Sequence, residues 1–247
     1  MNITFKKLYT LALLAFLSLS LTSCFDIKEE VTIKEDGSGS FIQTIDMSKN
    51  PMIQMALNMQ SDSAKQENSM ANKMDSTMEE TKARLSEIKG ISNIQTATSE
   101  EGLKFTIMYD FEDVNALNQA VNASEEEKEG EVKVMKKLYS FKKGEFTRAN
   151  SFAMGDNDFS EILGGKKDSK EKQTEEEKAQ TIQMMKMFFG NANYTYILHV
   201  PNKVKSYSNK KNTSVSEDEK TLTMTIPFMD LIDEDKKADV GNAVKFK

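Results

Sequence analysis

An apolar run of 14 residues, Leu8 to Leu21, ends three residues before the only cysteine of the chain, Cys24. A membrane-crossing helix needs about 20 apolar residues, and this run is shorter. It is preceded by Lys6 and Lys7 and followed by the small residues Thr22 and Ser23. That is the layout of a secretory signal peptide. With a single cysteine, no disulfide can form within the chain. His199 is the only histidine, so a His/Cys metal cluster is ruled out, and no metal or other cofactor is expected. The net charge is −6, from 33 basic and 39 acidic residues. A polyanion needs a basic face, so nucleic acid is not an expected partner.

Leu21-Thr22-Ser23-Cys24 resembles the lipobox of bacterial lipoprotein precursors. The resemblance implies that a diacylglycerol alkylates the Cys24 thiol and that the chain is cut just before it. It also implies that the new amino group is acylated, for example with palmitate. Residues 1–23 would be removed, leaving 24–247 as a single domain. Each buried CH₂ contributes about 0.8 kcal/mol, so two or three acyl chains anchor stably where one is marginal. No second apolar span follows, so the body is expected on a membrane surface, held by its lipid. Lys28-Glu29-Glu30 resembles the short Lys-plus-acidic export signals of surface lipoproteins in Bacteroidetes-type bacteria; the other reading is the solvent face of a first strand. The expected location is the cell envelope at the outer membrane, on its periplasmic face or the cell surface.

Phe25, Ile27, Val31 and Ile33 share one parity, interrupted by Glu29, which is the period of a strand. Asp36-Gly37-Ser38-Gly39 is a turn signal, and Phe41 to Ile45 reads as the returning strand. The period changes over about 47–89, a helical insertion read as two helices. Asn50 is the expected cap, Pro51 suits the first turn, and Gly90 is the stop. Leu103 to Phe111 alternates without a break. Asp113 can cap a helix carrying Val114, Leu117 and Val121. Val132 to Phe141 and Glu145 to Ala149 form a further hairpin. A mobile loop is expected at about 153–174, then a helix from Glu175 to Phe189. Strands follow at Tyr194 to Val200 and Thr221 to Ile226, then a short helix from Phe228, and Val240 to Phe246 returns as a last strand. Hairpins with helices grouped between them predict an α+β fold, a mostly antiparallel sheet with helices packed on one face.

Two blocks carry a further resemblance. After the cysteine comes a strand, then Glu35-Asp36-Gly37-Ser38-Gly39, a strand and Asp46. Near the other end, Tyr196 to Pro201 leads through Val204 and Ser208-Asn209 to an acidic turn at Glu217-Asp218 and the strand Leu222 to Ile226. This order is similar to the LppM-type lipoprotein domain. The resemblance implies an α+β envelope domain, one branch of which is linked to glycolipid binding, and it brings no catalytic residues.

Acidic groups at Asp156-Asn157-Asp158 with Glu161, and at Asp230 with Asp233, Glu234 and Asp235, lack the spacing and glycine of a calcium loop and read as solvated loops. Met52, Met55 and Met59, then Met70, Met74 and Met78, recur at helical spacing. They suit core packing or an adaptable apolar groove. His199 stands on the parity opposite to Tyr196, Leu198 and Val200, so it is expected to face solvent. The function expected from these features is a non-enzymatic, lipid-anchored envelope lipoprotein. It would bind an apolar or amphipathic ligand at the Met groove, or another envelope component. A scaffold without a ligand is the alternative, and an envelope hydrolase a more distant one.

Overall fold

The alternation around Glu29 folds as strand β1, Asp26–Ile33, paired antiparallel with β2, Gly39–Asp46. A computed structural model describes residues 25–51, 53–55, 70–99, 102–123, 136–151, 189–232 and 238–246, with 180, 183 and 185–187. In the β1–β2 turn, Gly37 has φ +87°. The Asp36 carboxylate accepts from the Ser38 amide at 3.0 Å and its hydroxyl at 2.7 Å. The turn reading therefore holds, with its side-chain hydrogen bonds local. Gly39 is required for another reason: a Cβ there would stand 1.8 Å from the carbonyl oxygen of Thr32.

Asn50 caps a short helical stretch at 51 and 53–55, its side-chain oxygen accepting from the Ile53 amide at 3.2 Å. Helix α1 spans Met70–Ser86; residues 56–69 lie outside the described residues, so the link between the two expected helices does too. Then come β3, Ile91–Thr98, and β4, Lys104–Phe111. Helix α2, Val114–Ala123, is capped by Asp113 through the Ala116 amide at 2.8 Å. A hairpin of β5, Tyr139–Lys142, and β6, Glu145–Arg148, turns at Lys143-Gly144. The expected mobile loop at 153–174 lies outside the described residues. A helical stretch ends at Phe189. It is followed by β7, Asn193–His199; β8, Val204–Tyr207; β9, Thr213–Val215; β10, Thr221–Pro227; helix α3, Phe228–Ile232; and β11, Asn242–Phe246.

Two sheets result. The larger has seven strands in the order β3-β4-β2-β1-β7-β10-β9, and the smaller four in the order β5-β6-β11-β8. All pairs are antiparallel except β1 with β7. The α+β class and its mostly antiparallel sheet stand as expected. The parallel β1–β7 pair and the short strands β8 and β9 were not legible in the sequence.

Registry puts one parity of the large sheet into the core. Val31 lies opposite Phe41 on one side and Leu198 on the other; Phe41 continues to Tyr109, and Leu198 to Leu222. All five are buried. The small sheet, α2 residues Leu117 and Ala120, and Leu85 of α1 belong to the same core. Burying each of the larger apolar side chains contributes about 1.5–3 kcal/mol. The opposite parity carries Lys28, Glu30, Thr32, Ser40, Ile42, Thr44, Thr106, Met108, Thr195, Ile197, His199, Thr221, Thr223 and Thr225, and none of them is buried.

Candidate functional site

Glu29 stands on the core parity of β1, opposite Tyr196 of β7. Its carboxylate and the Arg148 guanidinium meet at 3.4 Å, with 5% and 2% of their side-chain surface exposed. The Tyr194 hydroxyl donates to the second Glu29 oxygen at 2.8 Å, and the Tyr139 hydroxyl donates to the first. Both other guanidinium nitrogens are also bonded. Nη2 donates to the Tyr194 oxygen at 2.8 Å; Nη1 reaches the carbonyls of Ala149, Ser151 and Val240 at 3.2–3.3 Å. The guanidinium carbon lies 5.5 Å from the Tyr194 ring centroid and 5.3 Å from that of Tyr196, a cation–π arrangement removed from solvent. A buried charge is tolerable only when paired and fully hydrogen-bonded. Every guanidinium nitrogen of Arg148 and both Glu29 oxygens are bonded, and the cluster ties β1 and β7 of one sheet to β5 and β6 of the other.

The tyrosines here are held protonated. Burial, and then the Glu29 charge, push Tyr109 and Tyr196 well above the ordinary phenol range. Burial does the same for Tyr139 and Tyr194. Burial alone would lower Arg148, but the surrounding tyrosines and Glu29 carry it well above its ordinary value. The hydroxyls of Tyr109 and Tyr196 are buried without a hydrogen-bond partner among the described residues.

Glu30, the next residue, points to the other face. There Lys28 contacts it at 2.7 Å and His199 Nε2 at 3.0 Å, while His199 Nδ1 stands 3.0 Å from the Thr221 hydroxyl. Partial burial would raise Glu30, but hydrogen bonds and charge from Lys28 and His199 leave it below the ordinary carboxylate range. A hydroxyl, an imidazole and a carboxylate in line resemble a nucleophile–base–acid set. The amides beside Thr221 are spent, however: its own donates to Ser216 Oγ at 2.9 Å, that of Lys220 to Asp218 at 3.1 Å, and that of Val200 to the Lys220 carbonyl at 3.0 Å. Among the described residues, these three amides are therefore not free to serve as oxyanion donors at that hydroxyl. The line is a polar chain across an open β face.

Two shallow clefts accompany these features. One, about 450 Å³, lies between α2 and β5 and is lined by Val114, Asn115, Asn118, Lys136, Lys137 and Phe141 with Tyr139 and Ser140. At its floor the Asn118 side chain pairs with both backbone groups of Tyr139 at 2.8 Å. One turn on, Asn122 pairs with those of Lys136 at 2.9 Å. The helix thereby completes the ladder of the strand entering β5. The other, about 430 Å³, lies at the β1–β2 turn between Lys34, Ser38, Gly90, Ser92, Asp110 and Glu112.

Of the residues singled out in the sequence, Cys24 with Leu21, Thr22 and Ser23, and Met52 and Met59, lie outside the described residues. So do the side chains of Met70 and Met74 on α1, the acidic group at 156–161, and Asp233, Glu234 and Asp235. Met55 is 56% exposed and Met78 half-buried. His199 faces the open side, as its parity predicts. Lys28 and Glu30 face the same side, but Glu29 does not, so Lys28-Glu29-Glu30 is not a uniform solvent face. Among the described residues, no group of three His, Cys, Asp or Glu side chains is placed to hold a metal ion. No helix among them is long and apolar enough to cross a membrane. Sequence reasoning missed Arg148 and its tyrosines. The signal was present on one side only, as a glutamate on the apolar parity; its partner lies 119 residues away.

No family model and no curated protein matches the chain. Among solved structures it is similar to the NMR structure of the folded domain of the Mycobacterium tuberculosis protein LppM. Identity is 9%, with 91% of this chain and 90% of that chain covered, and the TM-score is 0.36.

Proposed function

We propose that the chain is a lipid-anchored lipoprotein of the cell envelope that works by binding rather than by catalysis. The observation that carries this reading is the closeness of the first strand to the lipobox cysteine. Cys24 is followed at once by Phe25, which is 3% exposed, and β1 begins at Asp26. Cleavage before Cys24 would therefore leave the acylated cysteine two residues from the first strand. Binding rather than catalysis is supported by the fate of the ionisable groups. Glu29 is committed to Arg148, and the Thr221–His199–Glu30 line stands on a flat face with its neighbouring amides already bonded.

The open face of the large sheet is the favoured contact surface for another envelope component. Threonines line it on β1, β2, β4, β7 and β10, around Ile42, Met108 and Ile197. An amphipathic ligand at the Met-bearing helices is the second reading, favoured by the exposure of Met55. The test of the anchor is Cys24→Ala in the full chain, with incorporation of labelled palmitate and fractionation of washed membranes. Loss of label and a chain released by washing are expected. A mutant that stays with the membranes would overturn the anchor as the attachment. Cross-linking from Thr223 or Met78 then separates the two binding readings.

A further inference from the structure

One end of the large sheet is marked out by where β1 starts. Registry gathers there the start of β1 (Asp26), the end of β2 (Asp46), the start of β4 (Lys104), the start of β7 (Asn193) and the end of β10 (Pro227). Two segments fold over that rim. Residues 47–55 leave β2 with the Met47 amide bonded to the Leu103 carbonyl at 2.7 Å, and Ile53 packs against the core. On the other side, the helical stretch ending at Phe189 leads into β7. Phe189 meets Phe25 edge-on at 5.0 Å, Phe228 meets Phe25 at 5.9 Å, and the Asn193 amide donates to the Phe25 carbonyl at 3.2 Å.

The large apolar side chains that stand exposed among the described residues are Met55, at 56%, and Met187, at 59%. Met55 lies on the first segment and Met187 on the second, two residues before Phe189. Exposed Lys186 precedes Met187 directly, and exposed Lys49 lies six residues before Met55 on the same segment. Long lysine stems lie along an apolar boundary while their ammonium groups stay in water.

We infer that this rim rests on the lipid bilayer, with Met55 and Met187 in its interfacial layer. The inference rests on the anchor reading above and adds an orientation to it. The α-carbons of Cys24 and Phe25 are about 3.8 Å apart across one peptide bond. Phe25 is clamped between Phe189 and Phe228, so no spacer lets the domain swing away from an acylated Cys24. The strands then run away from the membrane. The turn at Glu35 stands one strand length off, eight residues or about 26 Å.

Lipidation would consume the only native thiol, so single cysteines placed elsewhere can be labelled uniquely. Met55→Cys, Met187→Cys and Glu35→Cys would be prepared in the full, lipid-modified chain, each carrying an environment-sensitive fluorophore. The chains would be reconstituted into phosphatidylcholine vesicles containing a nitroxide-labelled lipid. Co-flotation with the vesicles reads the anchor; quenching reads the orientation. The expected result is flotation of all three, with quenching at 55 and 187 at least about threefold that at 35, as for side chains about 5–10 Å into the interface. Flotation with equal quenching at the three sites, or with more at 35, overturns the orientation and leaves the anchor standing. Failure to float overturns the anchor and the orientation with it.

Discussion

Glu29 in the middle of β1 and Arg148 at the end of β6 form an ion pair at 3.4 Å across the two sheets, almost wholly out of solvent. Glu29 and Glu30 are adjacent, yet β geometry sends them to opposite faces. One carboxylate cements the layers, and the other opens a polar chain through His199 to Thr221. The alternation of a strand thus separates an internal role from a surface one within a single dipeptide.

Removing one partner of the pair leaves a buried charge uncompensated. Arg148→Met or Glu29→Leu alone is expected to cost about 3–5 kcal/mol. The double variant Glu29→Leu/Arg148→Met is expected to recover most of that loss, because two apolar groups need no partner. Denaturant unfolding of the four proteins forms the cycle. Additive losses in the double variant would mean that the two residues do not depend on one another.

Alkaline pH should unfold the protein through its tyrosines. Tyr109, Tyr139, Tyr194 and Tyr196 are shifted upward in the folded state. Their contribution is complete below the ordinary phenol value near 10 and is lost above it, where the unfolded chain releases protons that the folded chain keeps. Each such phenol costs about 1.4 kcal/mol per pH unit in that range. Absorbance at 295 nm should show these four of the five tyrosines of residues 24–247 ionising together with loss of the far-ultraviolet signal. A smooth titration of all five near pH 10 with the fold intact would contradict this.

Asn118→Ala should be costly for a polar residue. It removes both hydrogen bonds to the Tyr139 backbone and leaves that buried amide and carbonyl unpaired. A loss of about 3 kcal/mol is expected, with faster amide exchange at Tyr139. A change under about 0.5 kcal/mol, the range of ordinary surface substitutions, would show that the helix does not complete the ladder.

Gly39→Ala should damage the first hairpin, since the new methyl would meet the Thr32 carbonyl oxygen at 1.8 Å and the Phe111 ring at 2.6 Å. Backbone must move to admit it. A loss of about 3 kcal/mol is expected, at the upper end of overpacking effects, read as a lowered urea midpoint. An unchanged midpoint would mean that the β1–β2 pairing relaxes freely.

Local rules made much of this protein legible in its sequence. The unbroken alternation of Leu103 to Phe111, the Asp-Gly-Ser-Gly turn, and the caps at Asn50 and Asp113 each depend on neighbours a few residues apart, and each forms as expected. The α+β class follows from their order, and the lipobox resemblance is read entirely from residues 21–24. The parallel pairing of β1 with β7 was decided only in the tertiary structure, because it joins strands separated by most of the chain. The same holds for Glu29. Its parity was visible, but whether that position meant a bulge, a surface or a buried charge depended on Arg148, Tyr139 and Tyr194 arriving from three other strands. Spacing along the chain encodes the period of an element. It does not encode which distant element will satisfy a charge, since that is settled by the packing of two sheets.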